Sequence, residues 1–307
     1  MKKIFFLVGV AALIASCATL TPSQLKSVNQ FAETSKNFSA YPSKILDELS
    51  AIRLERTRYF AASLRDPRNI IPVLDSMHST SLRDFSVNKK VDITFRIIDK
   101  YAQSLLLLSS EKFSNDLREQ SKRFGTDIDS LITQYNGISG TSPLPTGIGG
   151  AINKLVVFAG RQYIRSVQAR EVKKFVPRAD TLIGVMTDNL IQFLQNTSIA
   201  ALIKAEETGL AIDFLQYFGH QNHQPASLED VEKYLSLKRR LTGTRELQAQ
   251  TLQATRKLRA AHTKLLTTIE TRQTLKEIAG ELRTFTEEVK DIHKTISGIE
   301  NAKKPKQ

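Results

Sequence analysis

Leu275, Ile278, Leu282, Phe285, Val289, Ile292, Ile296 and Ile299 follow one another at steps of three and four without a miss. Only an α-helix stacks residues at those steps on one face, because its period is about 3.6 residues. A stripe of about three and a half heptads has coiled-coil character and has to be covered by other helices. If the pattern runs unbroken from Thr244 to Ile299, the helix is about 84 Å long at 1.5 Å rise per residue. The segments 87–135 and 151–218, or a partner chain, are the elements long enough to lie along it.

The rest of the chain repeats this helical spacing. Val91, Phe95, Ile98, Ala102 and Leu105 recur at steps of four and three, and eight of the twelve residues 97–108 are apolar. A helix that is apolar on most sides is buried on most sides, so this segment is expected to be the central core helix, continuing to about Tyr135. Thr21-Pro22, Tyr41-Pro42-Ser43 and Asp66-Pro67 each read as a cap or break beside a proline. Residues 66–86 read as short turns and loop. The segment 136–150 holds five glycines and two prolines and reads as the plainest break in the chain. Helix is expected from Ala151 to Phe175, an interruption at Pro177, and helix again from Arg178 to Phe218. Residues 219–227 form a second loop, with Ser227 and Asp230 placed as a capping box.

No strand pattern and no internal repeat stands out, and only 14 Gly and 9 Pro in 307 residues argue against a turn-rich β fold. The expected fold is all-α: an elongated antiparallel helical bundle with a long C-terminal coiled-coil-like helix. Its parts would be a signal at 1–16, a tether at 17–22, a bundle over 23–227, a coiled-coil segment over 228–300 and a disordered tail at 301–307.

The amino terminus is of a different kind. Lys2 and Lys3 precede eleven apolar or glycine residues, Ile4 to Ile14, and then come small residues and the only cysteine. A run this short falls below the roughly 20 residues that cross a bilayer, and it has the length of a secretory signal core. Ile14-Ala15-Ser16-Cys17 resembles the lipobox of bacterial lipoproteins. That resemblance implies cleavage before Cys17, a diacylglycerol on its thiol, an acylated amino terminus and a partner in membrane lipid. It also implies a periplasm-facing position. Ala18 stands where an aspartate favours inner-membrane retention in enteric bacteria, so the resemblance points to the outer membrane.

The formal charge is +13, and the two signal lysines account for two of it, which leaves +11 after cleavage. Nucleic acid is the usual partner of so basic a chain, but export removes that partner. Six bases, Arg161, Arg165, Arg170, Lys173, Lys174 and Arg178, face one acid, Glu171, within 161–178. With Lys154 they form a candidate anionic-surface patch. It adjoins an apolar stretch in which Ile152, Leu155, Val156 and Ala159 make a candidate hairpin face. Such a basic amphipathic element beside a mobile glycine-rich loop suits lipid docking or a pore-former-like insertion. The blander reading is a core-facing helix hairpin.

Nothing points to catalysis. His220 and His223 lack a third ligand for a metal site. Residues 147–154 lack the ending of a phosphate loop, and Glu206-Glu207 and Glu287-Glu288 are adjacent on helices and diverge. No cofactor, no metal and no catalytic residue is assigned. The expected function is that of a lipid-anchored envelope protein acting as a helical scaffold or adaptor, through a protein partner or self-association. The alternative is a membrane-active protein using 137–178.

Overall fold

The computed structural model describes residues 20–41, 43–83, 85–109, 115–138, 142–151, 161–195, 198–219, 225–271 and 275–303. Among these every regular element is helical. The α-helices are α1 (Pro22–Ser39), α2 (Ser43–Ala62), α3 (Ile70–Arg83), α4 (Phe85–Ser109), α5 (Asn115–Asn136), α6 (Arg161–Gln195), α7 (Ser198–Gly219), α8 (Leu228–Thr271) and α9 (Leu275–Lys303), with 3-10 turns at Pro67–Asn69 and Gly149–Ala151. The protein is an all-α helical bundle.

Local chemistry sets the helix starts. The Thr21 hydroxyl accepts from the Gln24 backbone N–H at 3.2 Å, and Gln24 Oε1 accepts from the Thr21 N–H at 2.9 Å. This reciprocal box satisfies two donors that the first turn would otherwise leave open, with Pro22 at the first helical position. At α8 the Asp230 N–H donates to the Ser227 hydroxyl at 3.1 Å, and that hydroxyl donates to Asp230 Oδ2 at 2.7 Å.

The bundle divides into two compact units, neither contiguous in sequence. The first comprises Met1–Lys36, Arg96–Met186 and Lys257–Phe285; the second comprises Asn37–Phe95, Thr187–Arg256 and Thr286–Gln307.

In the first unit the apolar run of α4 is core: Ile97, Ile98, Tyr101, Ala102 and Leu105 are fully buried. The helix does not continue straight to Tyr135. Lys100 lies 3.2 Å from Asp127 and 5.2 Å from the centre of the Phe124 ring, so α5 folds back on α4. The glycine-rich segment is also not a free loop over its described residues. Asn136 holds Leu144 at both backbone groups, accepting from its N–H at 2.7 Å and donating to its carbonyl at 2.9 Å. The Gly149 N–H donates to Asp129 Oδ1 at 3.0 Å. A Cβ on Gly149 would lie 1.9 Å from the Gly125 carbonyl oxygen, so the two backbones approach as only glycine allows.

Two further boundaries differ from expectation. α6 runs through Pro177, whose ring already has a helical φ and costs the helix a hydrogen bond without ending it. Residues 70–83 are helix, with Pro72 in the first turn, where backbone N–H groups have no intrahelical partner in any case.

In the second unit, α2 packs along α7 and meets α8. The carboxylate of Glu206, 1% exposed, receives Arg53 Nε and Arg56 Nε at 2.6 Å each, and Arg56 also pairs with Asp213. Arg240, 2% exposed, donates to Glu48 at 2.5 Å and Glu55 at 2.6 Å, and Lys233 joins it on Glu55. The C-terminal seam is covered as expected: Ile278, Leu282, Phe285, Val289, Ile292 and Ile299 are buried. It does not belong to one rod from 244 to 299. In the second unit the Ser236 hydroxyl donates to the Ala302 carbonyl at 2.7 Å, and Ile299 sits against Gly243. The end of α9 therefore runs antiparallel to the start of α8. Gly243 lies within an unbroken helix, and its missing side chain admits Ile299.

Candidate interaction surface

Cys17, Lys154, Ile152, Leu155, Val156, Ala159, His220 and His223 lie outside the described residues. Arg161 and Arg165 lie on the first turns of α6, which begins at Arg161. Further along, Lys173 is half-buried and Lys174 and Arg178 are exposed. Glu171 has only 2% exposure, and its carboxylate draws in both Lys174 and Arg170 at 3.3 Å. Part of the basic patch thus neutralises a buried acid. Among the described residues no helix is long and apolar enough to cross a membrane, and no group of three or more His, Cys, Asp or Glu could hold a metal ion.

A polar chain in the first unit has the residue types of an acid–base triad. His262 Nδ1 lies 3.1 Å from Asp180 Oδ1, and its Nε2 lies 2.8 Å from the Tyr101 hydroxyl. Burial pushes the imidazole pKa down and the Tyr101 pKa well up; the hydrogen bond from His262 holds the Asp180 carboxyl below its usual range. Full burial makes the neutral imidazole the direction that governs. Its Nδ1–H then donates to Asp180 and its Nε2 accepts from Tyr101. His262 and Tyr101 have no solvent exposure, and Phe31 and Phe175 close over them at ring distances of 5.7 Å from His262 and 5.2 Å from Tyr101 respectively. The Asp180 end of this chain of bonds is 29% exposed, while its other two members are enclosed. The whole is a satisfied core network of the kind that fixes one packing.

The second unit holds a pocket of 260 Å³ whose lining includes Lys44, Asp47, Glu48 and Lys303. Lys303 lies 2.8 Å from Glu48 and 3.3 Å from Glu300, so charges of this pocket already answer one another.

Among the described residues, an exposed apolar surface lies on α7 and the start of α8, both in the second unit. Ala201, Ala205, Thr208, Ile212, Leu215 and Gly219 are spaced 4, 3, 4, 3, 4 along α7, and all six are exposed. Ile212 is 55% exposed and Leu215 76%. The opposite face of the same helix carries Ile203, Leu210 and Phe214, which are buried. An ordinary surface helix has polar residues opposite its buried stripe; α7 has a second apolar seam there. On α8, Leu228, Val231 and Leu235 stand at steps of three and four and are also exposed, Leu228 at 77%.

The two stripes sit at one level. Phe214 meets the Tyr234 ring edge-on at 5.2 Å, and Tyr217 Oη donates to Asp230 Oδ2 at 3.3 Å. Arg245 pairs with Glu207 at 2.5 Å. These pairs define an antiparallel hairpin in which Ile212 and Leu215 lie level with Leu235 and Val231. Beneath it, Tyr59 stacks on Phe214 at 4.3 Å and meets Tyr217 edge-on at 4.9 Å. Burial, reinforced by Asp230, pushes the Tyr59 hydroxyl up to about 12. Aromatic packing of this density makes a firm base for an apolar face.

The expected helix from Arg178 to Phe218 included this stretch, without its outer seam being singled out. Its signal is the same three-and-four spacing as in α9, carried by small residues at one end. No protein-family model, curated protein or solved structure matches the chain.

Proposed function

We propose that this is a bacterial lipoprotein of the cell envelope, anchored through acylated Cys17, whose helical bundle acts as a scaffold or adaptor. Its protein contact is the outer face of the α7–α8 hairpin. The observation that carries the reading is the exposed apolar seam from Ala201 to Gly219, continued by Leu228, Val231 and Leu235. Monomeric proteins rarely leave a contiguous apolar face of this kind uncovered, and such faces mark interaction sites. A helix seam at heptad spacing is suited to receive another helix. The anchor rests on the lipobox-like Ile14-Ala15-Ser16-Cys17. Two or three acyl chains give lasting attachment where one gives marginal binding.

The test is photocrosslinking in the cells that make the protein. A photoreactive side chain at Leu215 forms covalent protein adducts, and the same probe at exposed Lys26 does not. Absence of adducts at Leu215, with the protein present at its normal level, removes the interaction reading. The anchor is tested separately: Cys17→Ser releases the protein from membranes after a high-salt wash, and retention there sinks the lipoprotein reading.

A further inference from the structure

We infer that the α7–α8 face takes a second copy of this chain, paired about a two-fold axis with its helices antiparallel. The inference rests on the reading of that face as an interaction surface and names its occupant.

Charge order along the stripe is the first argument. Glu232 and Arg239 are seven residues apart on α8, hence on the same flank of the apolar stripe, with Leu235 between them. Within the chain they reach each other only at 3.9 Å, both about half exposed. A two-fold axis crossing the hairpin at the level of Leu235 puts Glu232 of one copy beside Arg239 of the other, and the reverse pair forms by symmetry. One loose internal pair is exchanged for two between copies.

Apolar shape agrees with the same axis. The level of Leu235 on α8 is that of residue 213 on α7, since Phe214 meets Tyr234. An antiparallel mate then places Ile212 of one copy over Leu215 of the other, and Thr208 over Gly219. The bulky residues form the centre, while the small ones let the backbones approach at either side. An isologous contact of this type closes on itself and leaves no growing edge.

Lipid is the competing occupant. The described rim carries both signs, Lys204, Lys238, Arg239 and Arg245 with Glu207, Glu229 and Glu232. An anionic head-group surface attracts only the first set, so the mixed rim favours protein.

The experiment uses the full chain in its own membranes. Leu235→Cys, oxidised mildly with copper phenanthroline, gives a disulfide-linked species of twice the chain mass; Lys26→Cys and the unaltered chain do not. Arg239→Glu lowers the crosslinked yield at least tenfold, and adding Glu232→Arg to it restores the yield, which also shows that the single variant had folded. Sedimentation of the unmodified chain in non-ionic detergent reports a dimer. The inference is overturned if Leu235→Cys yields no dimer and the unmodified chain sediments as a monomer. It is equally overturned if dimers persist in Ile212→Asp/Leu215→Asp. Adducts from Leu215 to a different protein alone overturn the second copy and leave the interaction surface standing; no adduct of any kind removes both.

Discussion

His262 accepts the Tyr101 hydroxyl at 2.8 Å across 161 residues of sequence, in a part of the first unit where neither side chain meets solvent. The imidazole is held neutral, since burial depresses its pKa below the ordinary 6.5. The folded state therefore binds fewer protons than the unfolded state once the pH falls below about 6.5. Stability from this group is complete above that pH and is lost as pH falls through the depressed folded value. Asp180, also depressed, adds a loss at lower pH, below its ordinary value of 3.8.

Urea unfolding between pH 5 and 8 is expected to show the midpoint dropping on the acid side. His262→Gln keeps an acceptor for Tyr101 and a donor for Asp180 but does not titrate. It should cost about 1–2 kcal/mol at pH 8 and flatten the acid slope. An unchanged slope in the variant refutes the assignment.

Arg240 is the counterpart in the second unit. Its guanidinium is 2% exposed and holds Glu48 and Glu55. Truncation in Arg240→Ala leaves Glu48 with Lys303 and Glu55 with Lys233 but removes the buried donor both share, and a loss of about 1–3 kcal/mol is expected. Adding Glu48→Gln and Glu55→Gln to Arg240→Ala should recover part of that loss, as read by chemical unfolding.

Gly149→Ala drives a methyl group into the Gly125 carbonyl. The segment 142–151 should lift from α5, breaking the Gly149 bond to Asp129. The expected cost is about 1–3 kcal/mol, with new protease cleavage confined to this segment. Gly150→Ala, which meets nothing within 4 Å, is the control and should leave both unchanged.

Ile212→Asp and Leu215→Asp are expected to change unfolding free energy by no more than about 0.5 kcal/mol, because both side chains are already in solvent. Adduct formation through the α7–α8 face should nevertheless disappear. At protein concentrations low enough to keep the chain monomeric, a large stability loss would mean that these residues are core, contrary to their exposure.

Periodicity made some features legible in advance. The stripe from Leu275 to Ile299 announced both its helix and its buried face, and the apolar run of 97–108 announced its place in a core. The caps at Thr21 and Ser227 were readable because capping is a matter of three or four neighbouring residues. Folding back was not readable. The spacing that predicts α4 and α5, or α8 and α9, is the same whether they form one rod or two antiparallel helices, and only contacts such as Lys100–Asp127 and Ser236–Ala302 distinguish them. Pro177 looked like a break because its local preference was weighed without the packing that overrides it, whereas the break read at 136–150 is real: α5 ends at Asn136.

The sequence by itself determined that the chain is helical and where most of its helices carry apolar stripes, since a 3.6-residue period is a local property. Its lipobox-like start suggested the anchor by the same local reading. The tertiary structure decided which stripes are covered. α7 is apolar on two faces, and nothing in its own residues says which one the bundle consumes; α2 and α8 take the face of Ile203, Leu210 and Phe214 and leave that of Ile212 and Leu215 in water. Burial is a property of neighbours distant in sequence, and so are the closures at Glu206, Arg240 and His262, each built from side chains that meet only once the helices have packed.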